Sequence, residues 1–288
     1  MNPKNIVIFM PSIETGGADK NLFVISNFLA KNFKNISVIS ASKIDKNKFD
    51  HDIEFISPRL FTWNKFGRNI RSFISILILI KIFFKKKNIL VLSFQSNISA
   101  IILCKIFFKK IITRSNSFPN DWTNNFIKKY IFKIVYPLAD NNIVNSMQTK
   151  KDFIKNYNTK PTCIYNPVDI KKIKSLSAKL TPKIFKKNKL KIISVGRLSK
   201  EKDHITFLKA LHSLGNQVNY DAIIMGQGNM KTKIEEFIND HNLKKNVRLI
   251  GYKPNPYPYI KQSDFVILTS LHEGLPNILL EAIVLKKF

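Results

Sequence analysis

Residues 191–214 read KIISVGRLSKEKDHITFLKALHSL. A short run rich in β-branched apolar residues (Lys191–Val195) ends on a glycine, a charged turn follows, and the stretch from His204 to Leu214 carries apolar residues at helical spacing. This is the order strand, loop, helix. The same order recurs on both sides of it. Upstream, Ile6–Phe9, Ile36–Ile39, Ile53–Ile56, Ile89–Leu92, Ile111–Thr113 and Asn142–Val144 read as strands. Helical patterns lie between or after them at Ala18–Lys31, Ile70–Phe84, Ile98–Phe108, Asn124–Tyr136 and Met147–Asn156. Downstream come strands Ala222–Met225, Val247–Ile250 and Phe265–Leu268, with helices Lys231–His241 and Pro276–Lys287. Strands alternating with helices imply parallel sheets covered on both faces.

The alternation breaks once. Ile170 to Lys189 is dominated by lysine, contains Pro182 and follows the turn-like Asn166-Pro167-Val168-Asp169. The expected architecture is therefore α/β with two doubly wound domains facing across a cleft: 1–169, a linker over 170–189, and 190–288.

Lysine and arginine outnumber acidic residues 48 to 19, for a formal net charge of +29. Dividing the chain near Leu180 gives 30 basic against 10 acidic residues before it and 18 against 9 after it, or +20 and +9. Part of the excess is open to a compositional explanation, since Lys, Ile, Asn and Phe are all heavily used. Taken as a field, it favours polyanions such as anionic lipid headgroups, nucleic acid or phosphorylated substrates. No nucleic-acid recognition motif accompanies it, and no nucleic-acid partner is expected. The apolar run Ser72–Phe84 is interrupted by Lys81 and closed by Lys85, Lys86 and Lys87. It is too short for a bilayer-spanning helix, which needs about 20 apolar residues. Two readings remain for it, a buried helix of an α/β domain or an amphipathic helix resting on an anionic membrane surface. Cys104 and Cys163 lack metal-ligand spacing and no secretion signal precedes Ile6, so a reducing, cytoplasmic compartment is expected.

In open α/β domains, ligands gather at the carboxyl ends of strands, where helix N-termini favour anions. Three loops at such places carry distinctive residues. After the first strand, Gly16 and Gly17 open a helix, either as an ordinary turn or to admit a ligand close to the backbone. After Lys191–Val195 come Gly196, Arg197 and Lys202; the guanidinium and the ammonium could both reach a diphosphate, although Lys202 alone reads equally as a solvated lysine. After Phe265–Leu268 comes Ser270-Leu271-His272-Glu273-Gly274-Leu275-Pro276-Asn277-Ile278-Leu279-Leu280-Glu281. Pro276 suits a first helical turn, which puts Glu273 in the loop and Glu281 about two turns along the helix. These acids suit two hydroxyl-bearing parts of one ligand, or else a cap and a surface acid. Gly226-Gln227-Gly228 lacks the third glycine of a dinucleotide fingerprint, which argues against a nicotinamide enzyme.

In this order, Gly16-Gly17-Ala18, Ala139-Asp140, Asn166-Pro167-Val168-Asp169, Gly196-Arg197-Leu198, Lys202-Asp203, Gly226-Gln227-Gly228, Gly251-Tyr252, Ser263-Asp264 and Glu273-Gly274-Leu275-Pro276…Glu281-Ala282 resemble the retaining GT-B glycosyltransferases of family 4 (glycosyl transferases group 1). The resemblance implies two Rossmann-like domains and transfer of a sugar, with retention, from a nucleoside diphosphate donor, UDP-linked, to a glycan or lipid-linked acceptor in surface polysaccharide assembly. It implies that Arg197 and Lys202 hold the diphosphate, Glu273 faces the transferred sugar and Glu281 binds the ribose hydroxyls. Gly16, Gly17, Gly196, Tyr252, Gly274, Leu275, Asn277 and Ile278 complete the donor site. Many relatives place a histidine of the first domain beside the sugar. Here the loop reads Thr113-Arg114-Ser115-Asn116-Ser117-Phe118-Pro119, which makes Arg114 and Asn116 the candidates for acceptor contact. No carboxylate cage is evident, and metal-independent chemistry without a cofactor is expected, at the inner face of the cytoplasmic membrane. Relatives continue beyond the Glu281 helix, so the second domain is expected to be incomplete at Phe288. The competing expectation is an inactive remnant that only binds nucleotide sugar or anionic membrane.

Overall fold

A computed structural model of the chain describes residues 5–13, 16–42, 46–58, 66–180, 182–215 and 217–287. Phe288 lies outside them. The chain divides into two compact units, 1–167 and 168–288.

Among the described residues the first unit holds seven parallel strands: β1 (Asn5–Phe9), β2 (Ile36–Ile39), β3 (Ile53–Ile56), β4 (Ile89–Ser93), β5 (Lys110–Ser115), β6 (Asn141–Val144) and β7 (Thr162–Cys163). Their order is β3-β2-β1-β4-β5-β6-β7. Helices α1 (Gly17–Asn32), α2 (Arg68–Lys85), α3 (Asn97–Ile106), α4 (Phe126–Val135) and α5 (Met147–Tyr157) connect them. Alternate residues of β1 face opposite layers, as a pleated strand requires. Val7 and Phe9 pack with Leu79 of α2, Ile101 of α3 and Phe153 of α5. Ile6 and Ile8 pack with Leu22 of α1. Burial on both faces is why these strands read as unbroken apolar runs rather than alternating ones.

The second unit contains α6 (Ile170–Ser177), β8 (Leu190–Val195), α7 (His204–Leu214), β9 (Tyr220–Met225), α8 (Lys231–Asp240), β10 (Val247–Leu249), α9 (Tyr257–Gln262), β11 (Phe265–Val266) and α10 (Asn277–Val284). Its parallel sheet has the order β10-β9-β8-β11. One face packs Ile192 and Ile224 on Phe207 and Leu208 of α7 and Ile234 of α8. The other packs Ile193, Ile223 and Met225 on Ile173 of α6, Ile260 of α9 and Ala282 of α10.

Two doubly wound α/β units are thus as expected from the alternation, with local differences. The segment read as a linker, 170–189, begins with α6. Asp169 caps it by accepting from the Lys172 N–H at 2.9 Å, and Ile173 is buried in the second unit's core. Its lysines are the solvent face of an amphipathic helix. Farther along, the Ile184 carbonyl accepts from Arg248 Nη2 at 2.6 Å, and Asp221 Oδ2 accepts from the Lys186 N–H at 2.8 Å. That stretch is therefore stitched to the sheet edge. The helices over α6 and α9 were not expected from the sequence; α9 is six residues long and its first turn carries two prolines' neighbours, Tyr257 and Tyr259, rather than a clear apolar stripe. The last helix starts at Asn277 with Pro276 as its N-cap, so Glu281 sits little more than one turn along it, not two. Among the described residues, no helix is long and apolar enough to cross a membrane.

Candidate active site

In each sheet the strand order reverses beside the first strand of the unit: β1 lies between β2 and β4, and β8 lies between β9 and β11. Loops leaving the strands at such a switch point splay to opposite faces and leave room for a ligand at the carboxyl ends. The loops singled out above follow β1, β8 and β11.

In the second unit, Gly196 follows β8 and its N–H donates to the Met225 carbonyl at 3.0 Å. Arg197 is exposed. The chain then makes one tight helical turn over Lys200–Lys202 and enters α7 through Asp203, whose φ is +43°. The Asp203 carboxylate accepts from the Thr206 hydroxyl at 2.6 Å and fixes this entry. The loop after β11 is tied to the same turn: the Leu271 N–H donates to the Glu201 carbonyl at 2.9 Å, and the Thr269 hydroxyl donates to the Asp203 carbonyl at 2.8 Å. These bonds bring Lys202 and Glu273 together, and Lys202 Nζ forms an ion pair with Glu273 Oε1 in which both side chains stay partly exposed. A cation and a carboxylate from loops 71 residues apart in sequence therefore share one position.

The glycines of Gly226-Gln227-Gly228 act on this site by close approach. A Cβ on Gly226 would lie 1.8 Å from the Gly196 carbonyl oxygen, and one on Gly228 2.2 Å from the Leu198 carbonyl oxygen. The Leu198 N–H donates to the Gln227 carbonyl, and the Met230 N–H to the Leu198 carbonyl, both at 2.9 Å. The loop after β9 thus backs the Gly196–Leu198 loop, and only glycine permits the contact. His204, the first residue of α7, is buried, with Nδ1 3.2 Å from the Ser194 hydroxyl. Burial pushes its pKa down, against a smaller opposing effect of the Arg197 backbone.

Gly274, Leu275, Asn277 and Ile278 form the partly buried approach to α10. Glu281 is 5% exposed and accepts from the Tyr257 hydroxyl at 3.3 Å, so it is neither a cap nor a surface acid. Burial and the neighbouring Glu281 carboxylate both raise the Tyr257 pKa. Gly251 adopts a left-handed φ of +69° and leaves Tyr252 half-exposed behind it.

In the first unit, Gly16 caps α1, and its N–H donates to Asp19 Oδ2 at 3.0 Å; Gly17 is the first residue of the helix. The loop after β4 meets the loop after β1 where Gln95 Oε1 accepts from the Ser12 N–H at 3.0 Å. Arg114 is 2% exposed, and its guanidinium donates to Asn166 Oδ1 at 2.9 Å. Burial pushes its pKa down. It joins the end of β5 to the segment after β7. Asn116 accepts at its carbonyl from Asn145 Nδ2 at 3.0 Å. Asn97 and Asn145, which belong to no motif in the sequence, complete this polar cluster: Asn97 Oδ1 accepts from the Ser93 hydroxyl at 2.7 Å. Among the described residues, no three His, Cys, Asp or Glu side chains are grouped so as to hold a metal ion.

Residues 178–288 match the family model of glycosyl transferases group 1. The chain is 31% identical over 163 residues to an N-acetylgalactosamine-N,N'-diacetylbacillosaminyl-diphospho-undecaprenol 4-alpha-N-acetylgalactosaminyltransferase of Campylobacter jejuni, covering 56% of this chain and 43% of that one. It is 32% identical over 162 residues to the capsular polysaccharide biosynthesis glycosyltransferase CapH of Staphylococcus aureus, covering 54% and 41%. The matches thus span less than half the length of these relatives. In fold, it superposes on HepE of Anabaena, solved in complex with UDP-glucose, with a TM-score of 0.73 at 16% identity, over 98% of this chain and 79% of that one. The chain is therefore similar in sequence to glycosyltransferases of capsule and lipid-linked sugar assembly, and its two Rossmann-like units are those of the GT-B fold.

Proposed function

We propose that this chain supplies the donor site of a glycosyltransferase that moves a sugar from a UDP-linked donor, with retention, onto a glycan or lipid-linked acceptor in surface polysaccharide assembly. The observation that carries the reading is the convergence of Lys202 and Glu273 beside Gly196 and Arg197, at the switch point of a sheet matched by the group 1 family model. A departing nucleoside diphosphate concentrates negative charge, and preset cations stabilise it without reorganising at the moment of reaction. Arg197 offers a planar fork and Lys202 a point charge for that purpose. Glu273, beside Lys202, is assigned to the sugar that develops positive charge in an oxocarbenium-like transition state. Glu281, held by Tyr257, is assigned to the ribose hydroxyls, and Tyr252 to the neighbourhood of the base. Arg114 and Asn116 are assigned to the acceptor side. No metal ion has a part in this scheme. The Campylobacter relative is named for a diphospho-undecaprenol substrate and the Anabaena structure holds UDP-glucose, which supports a lipid-linked acceptor and a UDP donor.

The test is release of UDP from UDP-sugars offered with undecaprenyl diphosphate-linked acceptors. Acceptor-dependent release that Lys202→Ala abolishes supports the assignment. Tight UDP binding with no release under any donor and acceptor would leave a nucleotide-sugar binder and overturn it.

A further inference from the structure

The proposed donor site leaves a buried polar group beside it without a role. His204 is 2% exposed and opens α7 directly after Lys202 and Asp203. On one side of its ring, Nδ1 lies 3.2 Å from the hydroxyl of Ser194, which is itself buried in β8. The other nitrogen reaches the turn that carries Arg197. A Cβ built on Gly196 would lie 3.9 Å from His204 Nε2 and 3.8 Å from both Cγ and Cδ of Lys202. The imidazole, the Lys202 stem and the Gly196 backbone therefore meet at one point.

The loop after β9 holds this turn on either side of Arg197: the Gly196 N–H donates to the Met225 carbonyl at 3.0 Å and the Leu198 N–H to the Gln227 carbonyl at 2.9 Å. Within the turn, the Arg197 carbonyl accepts from the Ser199 N–H at 2.9 Å. A carbonyl oxygen has a second lone pair to offer.

The chemistry of the ring shows which group takes it. Burial favours the neutral imidazole, and the Lys202 charge pushes the same way. The Arg197 backbone, and more weakly Asp203, push the other way. A backbone group favours a ring proton by accepting it, which is the part of a carbonyl and not of an N–H. Neutral imidazole carries a single N–H. With that proton on Nε2 the ring donates toward the Arg197 carbonyl, and Nδ1 accepts from the Ser194 hydroxyl. One tautomer thus serves both contacts. A side chain kept only to fill the core would use neither nitrogen.

We propose that His204 is a positioning residue of the donor site: as the neutral Nε2–H tautomer it anchors the Arg197 carbonyl and so fixes how Arg197 and Lys202 present their charges to a nucleoside diphosphate. The proposal rests on the donor-site reading of those two cations.

Three variants of the 288-residue chain test it, His204→Gln, His204→Asn and His204→Leu. The Gln amide nitrogen reaches about as far as imidazole Nε2, whereas the Asn amide reaches only as far as Nδ1. By calorimetry, UDP affinity is expected to fall about tenfold or more in the Asn and Leu variants and to stay within about threefold of the parent in the Gln variant. All three remove the ring from the core, so a merely structural role would make the loss follow the melting temperature and give Gln no advantage over Asn. Two measurements need no UDP. Magnetic resonance of the ring nitrogens in the parent chain is expected to show the Nε2–H tautomer at neutral pH. Hydrogen exchange of the amides of residues 196–202 is expected to quicken in the Asn and Leu variants and not in the Gln variant. The Nδ1–H tautomer, or equal exchange in all three variants, overturns the proposal. A parent chain that does not bind UDP fails the donor-site reading; a parent that binds it no better than the Asn and Leu variants fails the role of His204 alone.

Discussion

Lys202 Nζ is bonded to the Glu273 carboxylate, across loops that leave neighbouring parallel strands on either side of a switch point. In this arrangement each neutralises the other. A diphosphate arriving at Lys202 has to compete with Glu273, and a carboxylate released from its lysine is free to face a cationic sugar. Under the proposed assignment, the pair separates binding from chemistry in a measurable way.

Glu273→Gln removes the competitor but keeps the shape. UDP affinity measured by calorimetry is expected to stay within about threefold of the parent or to tighten, while sugar transfer falls about a hundredfold or more. A parallel loss of UDP affinity and transfer would show that Glu273 serves ground-state binding instead.

Gly226→Ala places a methyl group where the Gly196 carbonyl oxygen lies 1.8 Å away, and backbone on both sides has to move. A loss of about 2–4 kcal/mol of stability is expected, together with weaker UDP binding as Gly196 and Arg197 shift. Gly67→Ala, at the N-cap of α2 with nothing within 4 Å, is the control, and it is expected to cost no more than about 1 kcal/mol. Denaturant midpoints of the two variants check this; equal midpoints would contradict it.

Most of the fold was legible because parallel strands buried on both faces announce themselves as apolar runs, as at Ile6–Phe9 and Ile192–Val195. The candidate site was legible to the extent that glycines and charges mark strand ends. What was missed depends on tertiary context. The α6 helix carries Lys171, Lys172 and Lys174 beside one buried Ile173, so its composition resembles a linker. The β7 strand is two residues, and only pairing with Ile143 and Val144 defines it. His204 gave no signal, because its burial follows from α7 packing on the sheet. The spacing of Glu281 left a surface acid open, and the Tyr257 bond that closes that alternative comes from α9, which has no clear periodicity of its own.

His204 gives the second unit a pH dependence of known sign. Burial lowers its folded-state pKa below the ordinary 6.5, so below that value the unfolded chain binds the proton more readily. Stability is whole above pH 6.5 and is lost progressively as pH falls toward the folded-state value. The melting temperature of the parent chain is expected to drop more between pH 7.5 and 5.5 than that of His204→Asn, which has no titrating group to strip of water. Identical pH profiles would mean that His204 protonates in the fold without cost.

The most direct measurement of the central claim is calorimetric titration of the 288-residue chain and its Arg197→Ala variant with UDP. Removing a charged fork from a diphosphate costs on the order of 2–3 kcal/mol, so the account predicts saturable binding by the parent chain and an affinity lower by about thirtyfold or more in the variant, with an unchanged circular dichroism spectrum. Equal affinity for UDP in the two proteins would contradict it.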